Sequence, residues 1–341
     1  MKQTFNASLK HLNSFSVEAR AAQLIELESE SDLQSLKRQY RFDPENDLIL
    51  GGGTNVLFVG DIEGTVVLNR IPGKQIIEDT NAGVLLEANA GEDWHQLVLW
   101  SLDQGLSGIE NLSLIPGLAG AAPMQNIGAY GVELADVLDS VQALDLESGE
   151  LLEFRHRDCH FAYRDSRFKS ADSGKYLITR IRLRLQHNFV PTLTYAGLIE
   201  ELHATGIVTP TAKQVSEAVI RIRLRKLPDP RVIGNAGSFF TNPVVERGVA
   251  DLLLKDFTGL PVYPIDDNES KLSAAWLIER CGWKGHTLGR AAVSDQHALV
   301  LVNQENASGS ELLALADAIS ESVLNRFGIE LQAELRIVQS T

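Results

Sequence analysis

Residues 47–58 read DLILGGGTNVLF, in which three successive glycines stand between two apolar runs of strand type. Successive glycines leave backbone N–H groups uncovered by side chains, which is the arrangement that a pyrophosphate requires. The Walker A loop and the Rossmann fingerprint both fail to fit, because neither Gly-Lys-Ser/Thr nor a helical pattern follows. Taken alone, three glycines are more often the signature of a tight turn.

A second glycine-rich segment, GLSGIENLSLIPGLAGAAPMQNIGAYG, covers residues 105–131 and has neither helical nor strand periodicity. Compact domains seldom contain so long a connection without regular structure unless it binds a ligand. The residues that favour a turn, keep side chains small or offer amide groups are Pro116, Gly117, Gly120, Ala121, Ala122, Gln125 and Asn126. Together the two segments favour a site in which glycine loops close on one extended dinucleotide.

The composition is that of an ordinary globular protein, with 341 residues, of which 44% are hydrophobic and 22% charged. This length is sufficient for two or three domains with hydrophobic cores. The net charge of −14 argues against a general nucleic-acid-binding protein, which needs clustered Lys and Arg. The N-terminal region lacks an apolar core of signal-peptide length, and the apolar stretches are too short for a membrane span. We therefore expect a cytoplasmic protein that binds neither nucleic acid nor membrane.

The cysteines and histidines indicate no metal site. Cys159 and Cys281 form no CxxC pair, which argues against a zinc site or a disulfide framework and suits a reducing compartment. His156, Cys159 and His160 lie close together in HRDCH, but their spacing is not that of a standard site and no second cluster completes it.

Hydrophobic patterning divides the chain into a strand-rich first part and a helix-rich second part. Strand-like runs alternate with two helical patterns, SDLQSLKRQ and GEDWHQLVLWSLDQG, up to about residue 187, which predicts two α+β lobes with mixed sheets. After a composition shift at HNFVPTLTYAGL, five helical patterns dominate, with strand-like stretches at GSFF, ALVLVN and LQAELRIVQ. We predict domains at residues 1–187 and 188–325, followed by a C-terminal strand segment at 326–341.

Five motifs follow one another along the chain: GGGTNVLF, IPGLAGAAPMQNIGAYG, YRDSRFK, KLPDPRVIGNAGSFFTNP and AELRIV. In these motifs and in their order the chain resembles the UDP-N-acetylenolpyruvoylglucosamine reductase family, also called UDP-N-acetylmuramate dehydrogenases. Members of this family are flavoenzymes of bacterial cell-wall precursor synthesis. The intervening LTYAGL and GLPVYP resemble the longer subclass of the family, which carries an additional loop with a tyrosine.

The resemblance implies an α+β fold. An FAD-binding module of the vanillyl-alcohol-oxidase (PCMH) type would occupy residues 1–187, a smaller α/β substrate-binding domain 188–325, and the C-terminal strand would carry a catalytic Glu. FAD would be bound noncovalently, because the glycine loops contain no histidine that matches the covalent attachment site of some relatives. By the resemblance, the residues that line FAD are Gly51, Gly52, Gly53, Thr54, Asn55, Val56, Ile115, Pro116, Gly117, Gly120, Ala121, Gln125, Asn126, Gly128 and Gly131.

The resemblance also implies a two-step reaction. NADPH reduces FAD, and the reduced flavin passes hydride to the enolpyruvyl group of UDP-N-acetylglucosamine enolpyruvate. Hydride addition leaves an enolate next to a carboxylate, so the site must stabilise negative charge and deliver a proton. Arg164 would stabilise the carboxylate, Glu334 the enol form, and Ser238 would donate the proton. Without the resemblance, Arg164 would be interpreted as an ion-pair partner of Asp165. Glu334 would be interpreted as a solvated strand position, and Ser238 as a turn residue.

By the same resemblance, the substrate-binding residues are Tyr195, Lys226, Asn242, Tyr263 and Lys284. Lys226, which would bind the diphosphate, belongs to a basic cluster with Arg221, Arg223, Arg225 and Arg231. Cations near the end of a predicted helix can also simply complement its dipole. Arg223 and His297 are further candidates without an assigned role.

Two other functions stay open at the level of sequence. A flavin oxidase of the same superfamily, acting on an alcohol or a sugar, would turn over with oxygen and would not need Ser238. A noncatalytic sensor of flavin or sugar nucleotide would lack one of Arg164, Ser238 and Glu334, and all three are present. We expect the reductase, acting as a monomer.

Overall fold

The computed structural model describes residues 1–339 of the chain, without the side chain of Ala196. The helices are α1 Glu30–Gln39, α2 Trp94–Asp103, α3 Ala196–Ala204, α4 Ala212–Lys226, α5 Arg247–Asp256, α6 Ala274–Arg280 and α7 Gly309–Phe327. The strands are β1 Lys2–Ser8, β2 Arg20–Leu27, β3 Leu48–Leu50, β4 Val56–Phe58, β5 Ile62–Asn69, β6 Lys74–Thr80, β7 Gly83–Asn89, β8 Gly128–Ala129, β9 Val132–Glu133, β10 Leu138–Asp145, β11 Leu151–Arg155, β12 Tyr176–Leu185, β13 Val244–Glu246, β14 Val262–Pro264, β15 Glu269–Leu272, β16 Thr287–Leu288, β17 Ala291–Val293, β18 Leu301–Asn303 and β19 Arg336–Val338.

The chain forms two compact units that are interleaved in sequence. The first unit contains residues 1–7, 21–52 and 62–225, and the second contains residues 8–20, 53–61 and the chain from Lys226 onward. The main division therefore falls between residues 225 and 226, whereas the sequence predicted it between 187 and 188. The second unit also takes two short segments from the N-terminal part of the chain.

Helices α3 and α4 belong to the first unit because they pack against residues that precede them in the chain. Their buried apolar residues form a small core, against which Tyr130 also packs. On α4, the Oγ atom of Ser216 lies 2.7 Å from Oγ of Ser113, and both hydroxyls are buried. These long-range contacts place the division after α4 rather than at the composition shift.

Within the described residues, the first unit contains two larger sheets and the small β8–β9 hairpin. In the sheet ordered β1-β2-β5-β3, strand β5 runs parallel to both β2 and β3. The sheet ordered β11-β10-β12-β7-β6 is antiparallel throughout. Helix α2 shares a core with the antiparallel sheet through the buried side chains of Trp94, Leu97 and Val98. The sequence predicted mixed sheets, whereas the pairs of β5 with β2 and β3 are parallel and the second sheet is purely antiparallel.

The long glycine-rich connection is more ordered than its sequence suggested. It contains two 3₁₀ turns, Glu110–Leu112 and Ala119–Ala121, and it ends at the small β8–β9 hairpin. The indole nitrogen of Trp94 donates to the carbonyl of Leu112 at 3.0 Å, which ties the first turn to α2.

Within the described residues, the second unit packs helices α5, α6 and α7 and three small sheets around one core. One of these sheets is the parallel pair of β4 and β19, in which Val56 is in register with Arg336. Helix α7 begins with a capping box between Ser308 and Glu311, which satisfies the first backbone amides of the helix.

The seven helical patterns of the sequence coincide with the seven helices of residues 1–339, so those predictions are confirmed. Strand prediction was less complete. GSFF forms no strand, only isolated bridges at Ser238 and Phe240, and β19 begins two residues after Glu334. No helix in the described part of the chain is long and apolar enough to cross a membrane.

Candidate active site

Both units carry residues that the sequence predicted to be functional. Those in the first unit are Gly51, Gly52, Ile115, Pro116, Gly117, Gly120, Ala121, Gln125, Asn126, Gly128, Gly131, Arg164 and Tyr195, with the further candidate Arg223. Those in the second unit are Gly53, Thr54, Asn55, Val56, Lys226, Ser238, Asn242, Tyr263, Lys284 and Glu334, with the further candidate His297.

In the first unit, the two glycine-rich segments lie directly against each other. A Cβ atom on Gly51 would stand 2.9 Å from Cβ of Ala121, and one on Gly52 would stand 2.9 Å from Cα of Gly117. Gly117 has a φ of +122°, which residues other than glycine rarely adopt. Gly52 is exposed to solvent, so its backbone is accessible to a ligand. Two touching glycine turns with exposed backbone fit the diphosphate of a dinucleotide.

At Gly53 and Gly120, glycine is required by the fold itself. Gly53 has a φ of +64°, and a Cβ atom there would stand 1.8 Å from the carbonyl oxygen of Leu12. A Cβ atom on Gly120 would stand 2.4 Å from Cβ of Ala90. The tight-turn interpretation therefore accounts for Gly53, whereas Gly51 and Gly52 allow the two loops to meet.

The side chain of Asn126 holds the second glycine segment in shape. Its Nδ2 donates to Oε2 of Glu133 at 2.7 Å and to the carbonyl of Ala162 at 3.2 Å, and its Oδ1 accepts from the amide of Ala135 at 2.9 Å. The sequence predicted that this amide would address a ligand. Because both donors and the acceptor are engaged within the unit, we assign the side chain to the fold instead, and only the backbone of Asn126 is left for a cofactor.

Arg164 is fixed on the same segment. It has a φ of +55°, and its Nη2 donates to the carbonyl of Gly128 at 2.6 Å. Its guanidinium carbon also stands 5.3 Å from the ring centroid of Tyr163. Asp165, the alternative ion-pair partner, accepts a hydrogen bond from Oγ of Ser170 at 2.6 Å. The guanidinium is thus held on the glycine segment, where a planar anion could meet it.

The predicted tyrosine loop lies on the end of the second glycine segment. The ring of Tyr195 packs edge-on against that of Tyr130, with centroids 5.0 Å apart. A Cβ atom on Gly131 would stand 2.2 Å from Oγ1 of Thr194, so the close approach requires glycine. The side chain of Tyr195 remains 39% exposed and is accessible to a ligand.

The basic cluster separates into residues with different partners. Arg221 and Arg225 on α4 both bind Glu201 on α3, each at 2.8 Å. Arg231 pairs with Asp229 at 2.7 Å. These three cations hold elements of the fold together, which reduces the cluster to Arg223 and Lys226 as candidates for ligand binding.

Arg223 contacts the second glycine-rich segment, residues 105–131. Its Nε donates to the carbonyl of Leu114 at 3.2 Å, and burial lowers the pKa of its guanidinium. Burial raises the pKa of the neighbouring Tyr130, while the charge of Arg223 acts in the opposite direction.

In the second unit, Ser238 is held by backbone pairing on both sides of its loop. Ser238 forms a bridge with Val300, and the amide of Phe239 donates to the carbonyl of Leu299 at 2.8 Å. On the other side, the amide of Glu334 donates to the carbonyl of Phe239 at 2.8 Å. Phe239 itself is 1% exposed and anchors the loop in the core. The loop is therefore paired on both sides, and the residue after Ser238 is hydrogen-bonded to Glu334.

The space beside Gly237, the residue before Ser238, is open. Gly237 has a φ of +70°, and a Cβ atom there would meet nothing within 4 Å. Glycine is thus needed for its backbone conformation, and Ser238 itself is partly exposed.

Glu334 is also adjacent to residues predicted to bind FAD. Nδ2 of Asn55 donates to the carbonyl of Glu334 at 3.4 Å, and the amide of Arg336 donates to the carbonyl of Asn55 at 3.0 Å. Arg336 was not among the predicted site residues, although it lies in the AELRIV motif. Burial lowers the pKa of its guanidinium.

Lys226, Lys284 and His297 form a basic group in the second unit. Burial, followed by the positive charges of Lys226 and Lys284, lowers the pKa of His297, whereas Glu279, whose Oε1 lies 3.4 Å from Nζ of Lys284, acts in the opposite direction. The imidazole is therefore neutral at pH 7, and its Nδ1 accepts from the amide of Leu299 at 3.2 Å. His297 thus lies in the turn at residues 297–300, and Ser238 forms its bridge with Val300, the last residue of that turn.

Asn242 and Tyr263 lie at the small sheet ordered β13-β15-β14. Oδ1 of Asn242 accepts from the amide of Ala274 at 3.0 Å, at the start of α6. Tyr263 is 51% exposed on β14 and is in register with Lys271. Asn242 therefore has a structural role on its oxygen side, whereas Tyr263 is free to contact a ligand through its exposed ring.

The residues described by the structure contain no group of three or more His, Cys, Asp or Glu side chains that could hold a metal ion. Cys159 is fully buried, and burial raises its pKa to about 12, so its thiol stays protonated. Cys159 of the HRDCH segment is accordingly a residue of the hydrophobic core.

Comparison with known families and proteins gives a consistent result over the whole chain. Residues 229–338 match the C-terminal domain of UDP-N-acetylenolpyruvoylglucosamine reductase, and residues 21–155 match an FAD binding domain. A reductase of that name from Azoarcus sp. (strain BH72) is 48% identical, over 97% of this chain and 96% of the relative. One from Pseudomonas aeruginosa is 47% identical, over 96% and 97%.

The fold agrees with these relationships. A crystal structure of UDP-N-acetylenolpyruvylglucosamine reductase from Thermus caldophilus matches with a TM-score of 0.66 and covers 98% of both chains. At 24% identity this likeness concerns the fold alone. The α+β architecture with an FAD-binding module, as expected from the sequence, is confirmed.

Proposed function

This chain belongs to the UDP-N-acetylenolpyruvoylglucosamine reductase family, and we propose that it reduces the enolpyruvyl group of UDP-N-acetylglucosamine enolpyruvate with NADPH. The product is UDP-N-acetylmuramate, a precursor of peptidoglycan. The observation that carries this proposal is the 48% identity over almost the full length of both chains. When bound, FAD supplies hydride transfer from NADPH to the substrate. The remaining chemistry falls to side chains of the protein.

Ser238 is the proposed proton donor to carbon. A proton donor must be held within hydrogen-bond reach of its acceptor, and fixed geometry contributes much of the rate. The backbone bonds to Leu299 and Glu334 on either side of Phe239 support this role, because they leave the loop little freedom. The open space beside Gly237 supports access of a substrate to the hydroxyl.

Arg164 and Glu334 are proposed to stabilise the negative charge that develops when hydride is added. A guanidinium presents paired donors to a carboxylate, and the bond from Arg164 to the carbonyl of Gly128 orients it in advance. A protonated Glu334 could share its proton with the enol oxygen. The backbone bond from Glu334 to Phe239 supports a coordinated position with Ser238.

Lys226 and Lys284 are proposed to bind the anionic part of the sugar nucleotide. In a chain with a net charge of −14, an anionic substrate needs a local concentration of positive charge. The effect of both lysines on the pKa of His297 supports such a concentration. Tyr195, Asn242 and Tyr263 would complete the binding of the substrate.

FAD is proposed to bind noncovalently at the glycine segments. The support is the contact of Gly51 and Gly52 with Ala121 and Gly117, which presents small, exposed backbone to a diphosphate. Gln125, Thr54 and the other residues named by the resemblance are proposed to line the cofactor. We also propose a monomer located in the cytoplasm, where the free thiols of Cys159 and Cys281 would stay reduced. Light scattering that gives the mass of two chains would contradict the monomer.

The proposed function is tested by spectroscopy and half-reactions. The purified protein should have the absorption spectrum of an oxidised flavin, NADPH should bleach it, and the enolpyruvyl UDP-sugar should restore it without oxygen. A colourless protein that takes up no added FAD would refute any flavin-dependent reaction. Reoxidation by oxygen with an alcohol as the only productive substrate would favour the oxidase, which the comparisons do not support.

Ser238→Ala tests the proton donor. We expect reduction by NADPH within about twofold of the native rate, and reoxidation by the enolpyruvyl substrate slowed by roughly 10²–10⁴, the usual contribution of general acid catalysis. Thr241→Val is the matched control, since it removes a hydroxyl from the same loop and should leave both half-reactions near native. Equal losses in both half-reactions of Ser238→Ala would indicate a structural serine.

A further inference from the structure

Tyr195 lies on a connection without helix or strand. The tyrosine segment, defined here as residues 187–195, joins β12 to α3. Its last residue, Tyr195, caps α3, and its carbonyl accepts from the amide of Leu198 at 2.9 Å. The residues before Tyr195 lie outside the strands and helices, so their path depends on contacts made by other parts of the chain.

One buried side chain ties this segment to the glycine loop. Asn111 is 0% exposed, and its Nδ2 donates both to the carbonyl of Thr192 at 2.9 Å and to the carbonyl of Tyr130 at 2.8 Å. The first bond fixes the tyrosine segment three residues before Tyr195. The second fixes Tyr130, whose ring is the edge-to-face partner of Tyr195. A single amide thus sets both halves of the aromatic pair.

Asn111 is itself held firmly. It lies in the 3₁₀ turn Glu110–Leu112, where the carbonyl of Leu112 accepts from the indole of Trp94. The carbonyl of Glu110 accepts from Oγ of Ser113 at 2.7 Å, and that hydroxyl meets Ser216 on α4. The turn is therefore fastened to helices α2 and α4, so Asn111 acts from a fixed point.

The acceptor side of Asn111 is left without a partner. Its Oδ1 is buried and has no hydrogen bond within the described residues. An unsatisfied buried acceptor is destabilising. The Oδ1 atom of Asn111 therefore reduces stability. Its Nδ2 atom, by contrast, makes two hydrogen bonds, one of them to the segment that carries Tyr195.

We propose that Asn111 is a positioning residue: by holding the carbonyls of Thr192 and Tyr130 together, it pre-orders Tyr195 for the UDP-sugar. This inference rests on the proposed function, in which Tyr195 contacts that substrate. Pre-ordering lowers the entropy lost on binding, so it acts on affinity for the sugar nucleotide. On this proposal flavin reduction by NADPH does not use Tyr195, so that half-reaction should be independent of Asn111.

Asn111→Asp tests the inference at constant shape, because it replaces the amide donor by a carboxyl oxygen that faces two carbonyls. We expect the KM for the enolpyruvyl UDP-sugar to rise roughly tenfold or more, the factor that one to two lost hydrogen bonds produce. The rate of flavin reduction by NADPH should change by less than about twofold. Asn111→Ser, which is smaller and uncharged, should show the same pattern if the carboxylate prevents folding.

Hydrogen exchange separates this inference from the proposed function. In the flavin-loaded variants, exchange of peptides covering the tyrosine segment should become faster, whether or not the enzyme reduces an enolpyruvyl sugar. Ser101→Ala is the matched control, since it removes a buried hydrogen bond within α2, from Oγ of Ser101 to the carbonyl of Val98 at 2.8 Å, and it should leave both the exchange of this segment and the KM native.

Two results would overturn the proposal. Native exchange of residues 187–195 in both Asn111 variants would show that the amide does not hold the segment. A native KM, or equal losses in both half-reactions, would show that holding it does not serve the sugar nucleotide. If native enzyme fails to reduce the enolpyruvyl sugar, the proposed function falls, while the exchange result still decides whether Asn111 positions Tyr195.

Discussion

Replacing Gly51 by alanine should weaken FAD binding by separating the two glycine segments. The new methyl group would stand 2.9 Å from Cβ of Ala121. Carbon atoms pack best from about 3.5 Å, so the loops must part by about 0.6 Å. Gly51 has no positive φ, which means that the backbone conformation itself accepts alanine and the contact is the main source of strain.

The size of the effect follows from this contact. Overpacking of one methyl group costs about 1–3 kcal/mol, and each 1.4 kcal/mol corresponds to a tenfold change in affinity. If the strain is relieved only by opening the proposed diphosphate site, the Kd for FAD rises roughly fivefold to somewhat more than a hundredfold. Titration of flavin-free protein with FAD, followed by the quenching of flavin fluorescence, measures this directly.

Ala121 offers a rescue that makes the prediction specific. The double variant Gly51→Ala with Ala121→Gly exchanges the methyl group across the contact and should recover most of the affinity. Gly52→Ala should not be rescued in this way, because its Cβ atom would stand 2.9 Å from the backbone of Gly117. Gly248→Ala is the control, since a Cβ atom there meets nothing within 4 Å and the change lies in helix α5.

The reasoning would be refuted by native FAD affinity in Gly51→Ala. It would also be refuted if the double variant bound FAD no better than the single one, because the loss could then not come from this contact. Gly248→Ala should keep the native affinity and stabilise the protein by about 0.5–1 kcal/mol, the difference in helix propensity.

Two further predictions concern stability and thiol chemistry. Hydrogen bonds from Arg221 and Arg225 lower the pKa of Glu201, so the stabilisation they provide is complete above the ordinary value of 4.5 and is lost as pH falls through the lower folded value. Glu201→Gln should reduce the free energy of unfolding in urea by about 0.5–2 kcal/mol at pH 7, the contribution of two partly exposed ion pairs, and a difference from native protein that stays constant down to pH 3 would contradict this. Cys159, with its pKa of about 12, should resist a thiol reagent at pH 8, while the less buried Cys281 reacts, and equal labelling rates would be the contrary result.

The helices could be predicted from sequence because their information is local. A periodicity of three to four residues and a capping residue act within one or two turns, and all seven patterns gave helices. GSFF was misjudged for the opposite reason. Its pairing partners are at residues 299–300 and 333–334, and only the fold brings those segments to both sides of it.

The predicted division at residue 187 differs from the compact units for a similar reason. Composition changes there, yet α3 and α4 bury their apolar faces with Tyr130 and join the first unit. Asn126 illustrates the same limit at a single residue, since an amide in a glycine-rich loop suits a ligand or a neighbouring backbone equally well. Its partners Glu133, Ala135 and Ala162 are visible only in the folded chain.

By itself the sequence determined the glycine segments, the helices and the motifs that contain Arg164, Ser238 and Glu334. These features depend on residue type and on short spacings between residues, both of which can be read from the sequence. The tertiary structure decided which glycines let two loops meet and which only serve a turn. It also decided that Phe239, next to Ser238, is hydrogen-bonded to Glu334, and that Asn111 is hydrogen-bonded to the Tyr195 segment. Those outcomes depend on which buried surfaces and backbone groups meet in the folded chain. Hydrophobic burial and hydrogen bonding bring together residues that are far apart in sequence, and no local sequence pattern reports such contacts.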